Sequence, residues 1–193
     1  MARTPSNMLP LETKAPSFKL PNTLDNKAYG WEDISGSSGT LIVFICNHCP
    51  FVIHLIEPLV QLANQYQKKG IGVAFISSND VENYPQDGPE QMKIFGAKYG
   101  MQFPYLYDEH QQTASDYKAA CTPDFYLFNE HHSLVYRGQF DDSRPGNHVP
   151  VTGASLQEAL DRLLQGQALP EAQKPSLGCN IKWKAENRPA GHY

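Results

Sequence analysis

The sequence predicts an α/β layered domain with a central mixed β-sheet flanked by helices. Three observations predict it. Leu41-Ile42-Val43-Phe44-Ile45 is a continuous apolar pentad with β-branched members, as expected of a strand buried on both faces. Ile71 to Ser77 reads as a second such strand. Between them Val52, Leu55, Ile56, Leu59, Val60 and Leu62 recur at the spacing of a helix with one buried face, so the segment closes a strand-helix-strand unit.

In chain order, residues 1–14 read as a loosely held arm, 15–165 as the domain and 166–193 as a tail that wraps the surface. Alternation around Asn22 to Lys27 marks a short N-terminal hairpin. The first long helix runs to about Lys69 and stops at Gly70, and Pro58 inside it should kink it or split it in two. Residues 79–90 form a polar loop containing Pro and Gly. Pro89 then starts a helical insert whose apolar side is Met92, Phe95 and Tyr99. A short strand near Tyr105-Leu106 and a helix around Thr113 to Ala119 follow. Residues 124–128 and 134–138 read as adjacent strands joined by a turn at Asn129 to His132. The last helix spans Ser155 to Leu164, with Ser155 as its cap and Glu158 three residues on.

Composition narrows the function. At 193 residues, 40% hydrophobic and 19% charged, the chain has the material for an ample core. A net charge of −4, with Lys68-Lys69 as the longest basic run, argues against a nucleic-acid partner. No segment approaches the ~20 apolar residues of a membrane span. The opening Met1 to Pro10 lacks the apolar stretch of a secretory signal. The expectation is no membrane partner and a cytoplasmic location.

Four cysteines are too few for a disulfide scaffold, and only Cys46 and Cys49 form a C-x-x-C pair. The pair falls where the buried strand ends and the helix begins. Unpartnered N–H groups and the positive end of the macrodipole there favour a thiolate. Cys46, nearer the loop, is expected to be the readily ionised nucleophile, and Cys49, one turn inward, the resolver. A partly charged His48 between them would stabilise the Cys46 thiolate and make the pair more oxidising. A lone C-x-x-C is also half of a zinc site, but tetrahedral zinc needs four ligands and Cys121 and Cys179 stand far apart in the chain. Neither metal nor cofactor is expected.

These residues resemble the thioredoxin-like superfamily, and more closely its peroxiredoxin-like (AhpC/TSA, redoxin) branch, from about Ala15 to Gln165. The opening Ala15-Pro16-Ser17-Phe18-Lys19-Leu20 is similar to the entry of redoxins, and the helical insert fits the same branch. Thr122-Pro123-Asp124-Phe125-Tyr126-Leu127-Phe128 matches the strand that a cis-proline opens opposite the C-x-x-C. The resemblance therefore implies a thioredoxin-like fold and a cis Pro123, with Thr122 free to pair with an extended substrate segment. Cys121, two residues before Pro123, would lie near the pair as an auxiliary thiol or as a small buried hydrophobe. Cys179 reads either as a resolving thiol for another site or as inert.

Two departures shape the functional expectation. Ile45 stands where thioredoxins carry Trp. The peroxiredoxin pattern P-x-x-x-T-x-x-C fits neither register: Cys49 would put Ile42 and Cys46 at its Pro and Thr, and Cys46 would put Gly39 and Val43 there. Arg137 or Arg144 would have to supply the distant arginine that orients a peroxide. The leading expectation is a thiol–disulfide oxidoreductase in redox homeostasis, exchanging with protein or small-molecule disulfides and a cellular thiol reductant. A thiol-dependent peroxidase and a metal- or partner-binding module are the alternatives.

Overall fold

A computed structural model describes residues 3–189. In chain order its elements are β1 (Arg3–Pro5), β2 (Lys19–Pro21), β3 (Ala28–Gly30), α1 (Trp31–Ile34), β4 (Gly39–Phe44), α2 (Pro50–Gln67) and β5 (Ile71–Ser77). A single 3-10 turn (Pro85–Asp87) precedes α3 (Pro89–Tyr99), β6 (Tyr105–Tyr107), α4 (Gln112–Asp116), β7 (Cys121–Thr122), β8 (Asp124–Phe128), β9 (Leu134–Tyr136), α5 (Ala154–Leu164) and β10 (Leu177–Asn180). The fold is thioredoxin-like, a central mixed sheet flanked by helices. Its five-stranded sheet has the order β6-β5-β4-β8-β9, with β4, β5 and β6 parallel and β8 and β9 antiparallel.

The sheet is buried on both faces because β4 alternates. Leu41 and Val43 point into the core under α2 and α5, where they meet Leu55, Leu59, Leu156 and Leu160. Ile42 and Phe44 point the other way, into a cluster with Trp31, Tyr117, Tyr126 and Phe128. A continuous apolar pentad is what such a strand requires.

Four expectations are corrected. Pro58 does not split α2, which is one helix of 18 residues. Its neighbours Leu55, Ile56, Leu59 and Val60 are all buried, so packing holds both sides of the missing N–H together. Ser155 is not the cap of α5. That position belongs to Gly153, left-handed at φ 69°, and the Asp141 carboxylate holds the turn before the helix by taking the Thr152 and Gly153 N–H groups at 2.7 Å each. The first N–H groups of the helix go to the Thr152 hydroxyl, from Ala154 at 3.3 Å, and to the Phe140 carbonyl, from Ser155 and Leu156 at 3.1 and 3.2 Å. The arm is tied down: β1 pairs with β10, and Ser6 and Leu9 are buried. The tail does not wrap the surface at β10, which lies between β1 and β7 in a second, three-stranded sheet.

Among the described residues, no helix is long and apolar enough to cross a membrane. Tight approach fixes β10 on β7: a Cβ on Gly178 would lie 2.0 Å from the Thr122 carbonyl oxygen. Gly178→Ala should therefore cost about 1–3 kcal/mol, the range for forcing extra atoms into a packed site. The measurement is a urea titration, in which the midpoint falls and the slope is unchanged.

Candidate active site

The site begins where β4 runs out. Phe44 is the last paired residue, the Ile45 N–H still bonds the Ile76 carbonyl at 2.9 Å, and the chain then turns through Cys46 to Cys49. Cys49 is the N-cap of α2 with Pro50 at its first position. Both cysteines are buried, 1% and 0% exposed, and neither is disulfide-bonded.

Across from them stands the Thr122–Pro123 peptide, which is cis as expected. Thr122 touches both sulfurs. Its Oγ1 lies 3.4 Å from Cys46 Sγ, and its carbonyl oxygen lies 3.1 Å from Cys49 Sγ, placed to accept from that sulfur when it is protonated. The expectation that its backbone would be open to a substrate strand is overturned. Thr122 and Cys121 are already paired with Cys179 and Asn180 of β10.

That pairing decides which thiol joins the site. Side chains alternate along a strand, and directly opposite residues share a face. Cys179 lies opposite Thr122 and its side chain hydrogen-bonds Cys49. Cys121 lies opposite Asn180, one position out of phase, and is buried with its thiol pushed up by desolvation and by Asp124. Its Sγ lies 3.5 Å from the Pro123 carbonyl and accepts from the Gly178 N–H. The third thiol of the cluster is Cys179.

Ionisation runs against the sequence expectation. Hydrogen bonds from the Cys179 and Cys46 thiols, aided by Thr122 and the Val52 N–H of the helix start, hold Cys49 well below the ordinary thiol range. Cys46 is pushed well above it by its bond to Cys49, by burial and by the charge of Asp87. The reason is positional. The helix begins at Pro50, so its N-terminal donors serve Cys49, while the Asn47 N–H next to Cys46 goes to Asp87 Oδ1 at 2.8 Å.

Asp87 is a residue of this cluster that sequence reasoning missed. It is fully buried in the 3-10 turn and also accepts from the Asn79 amide at 2.8 Å. His48 Nδ1 lies 2.7 Å from its Oδ2, and a carboxylate there makes Nδ1 the donor. The His48 ring stacks on Tyr84, 5.6 Å between centroids at 8°. The imidazole thus faces Asp87 first, rather than acting as a bare charge beside Cys46. Tyr105 completes this side, donating its hydroxyl to Asn47 Oδ1 at 2.9 Å.

Donor atoms of Cys46, His48 and Asp87 all lie within 4.8 Å of one another. A metal held by them would have to break the His48–Asp87 hydrogen bond or displace the Asn47 and Asn79 donors that the carboxylate already binds. The arginines point elsewhere. Arg137 bonds Gln173 at 3.0 Å, and Arg144 bonds the Asp141 and Ser143 carbonyls and Gln139 Oε1, each at 2.6 Å. Neither guanidinium is directed at the sulfurs, though Arg144 draws the Cys121 thiol down. His54 bonds Ser143 at 2.7 Å.

Ultraviolet thiolate absorbance across a pH series should show one thiolate in the reduced protein at neutral pH, lost in Cys49→Ser. Because the folded value lies below the unfolded one, this charge stabilises the fold fully above the ordinary thiol pKa. The contribution is lost as pH falls through the depressed value. Asp87→Asn should move the second, higher ionisation downward, since the Asp87 charge is one of the causes raising Cys46.

Residues 11–137 match the model of the AhpC/TSA family. Among solved structures, the chain is similar to an uncharacterized conserved protein from Geobacillus kaustophilus: 54% identity, TM-score 0.94, covering 96% of this chain and 98% of that one. A hypothetical protein from Sinorhizobium meliloti is 43% identical with TM-score 0.92, covering 94% and 99%. A putative thioredoxin from Neisseria meningitidis, at 23% identity and TM-score 0.60 over 79% and 91%, shares the fold. The comparison with curated proteins gives no match. A family model that spans Cys46, Cys49, Thr122 and Pro123, on a thioredoxin-like sheet, places the chain in the AhpC/TSA family of thioredoxin-like redox proteins.

Proposed function

We propose that the chain is a thiol–disulfide oxidoreductase that cycles Cys46 and Cys49 between dithiol and disulfide. The observation that carries this is the placement of both sulfurs against one residue, Thr122, directly before the cis-proline. Two thiols held there one helical turn apart are positioned for exchange with each other and with a third sulfur.

The electrostatics divide the work. Cys46 lies on the loop side with the partly exposed His48 and buried Asp87, so it is the sulfur an incoming disulfide meets. Its proton passes to His48, whose ring Asp87 holds through Nδ1. Cys46 attacks one sulfur of the substrate, the other leaves as a thiolate, and a mixed disulfide forms on Cys46. The Cys49 thiolate then attacks Cys46, forms the Cys46–Cys49 disulfide and expels the second substrate thiolate, which His48 reprotonates. The low ionisation of Cys49 suits a resolver, because the attacking sulfur is already charged. A cellular thiol reverses the last bond. Oxidised glutathione or a protein disulfide fits the first step, and redox homeostasis is the corresponding role.

Peroxidase chemistry draws support from the family match alone. It lacks an arginine aimed at either sulfur. Stopped-flow mixing of the reduced protein with hydrogen peroxide separates the two readings: sulfenate formation much faster than at free cysteine would favour the peroxidase.

The direct test equilibrates the protein with reduced and oxidised glutathione, alkylates it and maps the bonds by mass. A two-electron disulfide joining Cys46 to Cys49 is expected, and its absence at every ratio would end the proposal. His48→Ala should slow reduction of oxidised glutathione by about a hundredfold, the low end for a positioned proton carrier. In Cys49→Ser, glutathione should stay bound at Cys46, because the resolving sulfur is gone.

A further inference from the structure

The C-terminal strand brings a third sulfur into the site. β10 pairs with β7 in register Cys179 to Thr122, so the chain's own segment occupies the edge beside the cis-proline. Cys179 is 3% exposed, packs in the same cluster as Cys46 and Cys49, and hydrogen-bonds Cys49 through its side chain. β10 also packs on the start of α2, where the Phe51 N–H reaches Cys179 as the Val52 N–H reaches Cys49. One helix N-terminus therefore serves two sulfurs.

We propose that Cys179 is a third redox residue, which accepts the active-site disulfide by attacking Cys49 of the Cys46–Cys49 bond. This rests on the oxidoreductase reading above. In the step, the Cys179 sulfur bonds to Cys49, the Cys46–Cys49 bond breaks and Cys46 leaves as a thiolate. Cys46 takes up the proton that Cys179 gives away. One thiol and one disulfide become one disulfide and one thiol differently placed, so no outside oxidant or reductant is needed.

The surroundings time this transfer. In the reduced protein the Cys179 thiol is held well above its ordinary value, first by its hydrogen bond to Cys49, then by burial and by the Cys49 charge. Forming the Cys46–Cys49 disulfide abolishes that charge and that acceptor. Burial still opposes the Cys179 thiolate, while the positive Lys182 and the Phe51 N–H favour it. Oxidation of the pair thus frees the sulfur that receives it from the hydrogen bond and the charge of Cys49. The product differs in consequence: a Cys49–Cys179 bond fastens β10 to the start of α2 and returns Cys46 to the thiol state.

The test oxidises the full-length protein with oxidised glutathione, quenches with acid at intervals, alkylates and maps disulfides and blocked thiols by mass. Cys46–Cys49 should appear first and Cys49–Cys179 should follow. The two are expected to settle within about tenfold of one another, since they share one sulfur in one environment. Blocked Cys46 and blocked Cys179 should then be found in separate pools of the same sample. Cys46→Ser, checked for native circular dichroism, should form Cys49–Cys179 alone. A wild-type protein that accumulates Cys46–Cys49 while Cys179 remains a thiol throughout overturns the relay and leaves the oxidoreductase standing. A Cys49–Cys179 bond with Cys46 a thiol at every time overturns the Cys46–Cys49 cycle instead. Should Cys46→Ser fail to fold, the wild-type pools decide alone.

Discussion

The antiparallel register between β4 and β8 pairs Phe44 with Asp124, and that single alignment is what brings the chemistry together. Carried two residues beyond the last pair, it sets Cys46 against Thr122, and the observed contact is 3.4 Å. Because side chains alternate, a slip of one residue would turn Thr122 away and face Pro123 or Cys121 toward the loop. Burial opposes that slip. Leu41 and Val43 share one core cluster with β8's Phe125 and Leu127, Ile42 and Phe44 share the other with Tyr126 and Phe128, and a shift of one residue would send each set to the wrong side. The same alternation, passed on from β7 to β10, selects Cys179 over Cys121 as the third sulfur.

Charge in the cluster then follows from which donors each sulfur can reach. Cys49 collects two thiols and a helix N–H, while Cys46 faces Asp87, whose negative charge opposes a second thiolate nearby. Two adjacent thiolates would repel in a buried site, so the first ionisation at Cys49 itself holds back the other two. Asp87 has a compensating use. Fully buried and bonded to Asn47, His48 and Asn79, it orients the imidazole beside Cys46 and fixes the backbone of the loop between the cysteines.

The layers were legible because their signals are local. The Leu41–Ile45 pentad, the helix after it and Ile71–Ser77 each announce themselves by spacing, and the β5 bounds match the reading residue for residue. Thr122-Pro123 was legible through family resemblance, not through composition. Asp87 was not legible, because an aspartate in a polar loop carries the same local pattern whether it faces water or a buried histidine 39 residues away in the chain. Cys179 failed for the same reason: its partner lies 130 positions earlier, and nothing in a proline-rich tail signals that Leu177–Asn180 will insert between β1 and β7. The cap of α5 was read from Ser155, whereas the Thr152 hydroxyl and the Phe140 carbonyl take the first N–H groups of the helix.

The covered edge also bears on what can reach the sulfurs. β10 is paired on both sides, and the chain beyond it is anchored by buried Ile181 and Trp183 and by the bonds that Lys182 makes with Asn79 and Asp80. A folded protein substrate that adds a strand beside Thr122 must first displace all of this, breaking two ladders and exposing apolar side chains to water. A small disulfide approaching from the His48 side needs none of that rearrangement. Under the proposed function, β10 in place favours exchange with small disulfides at Cys46 and, in the proposed relay, with the chain's own sulfur at Cys179. On that reading, larger partners become accessible only as the tail leaves the sheet, which ties substrate size to the stability of one four-residue strand.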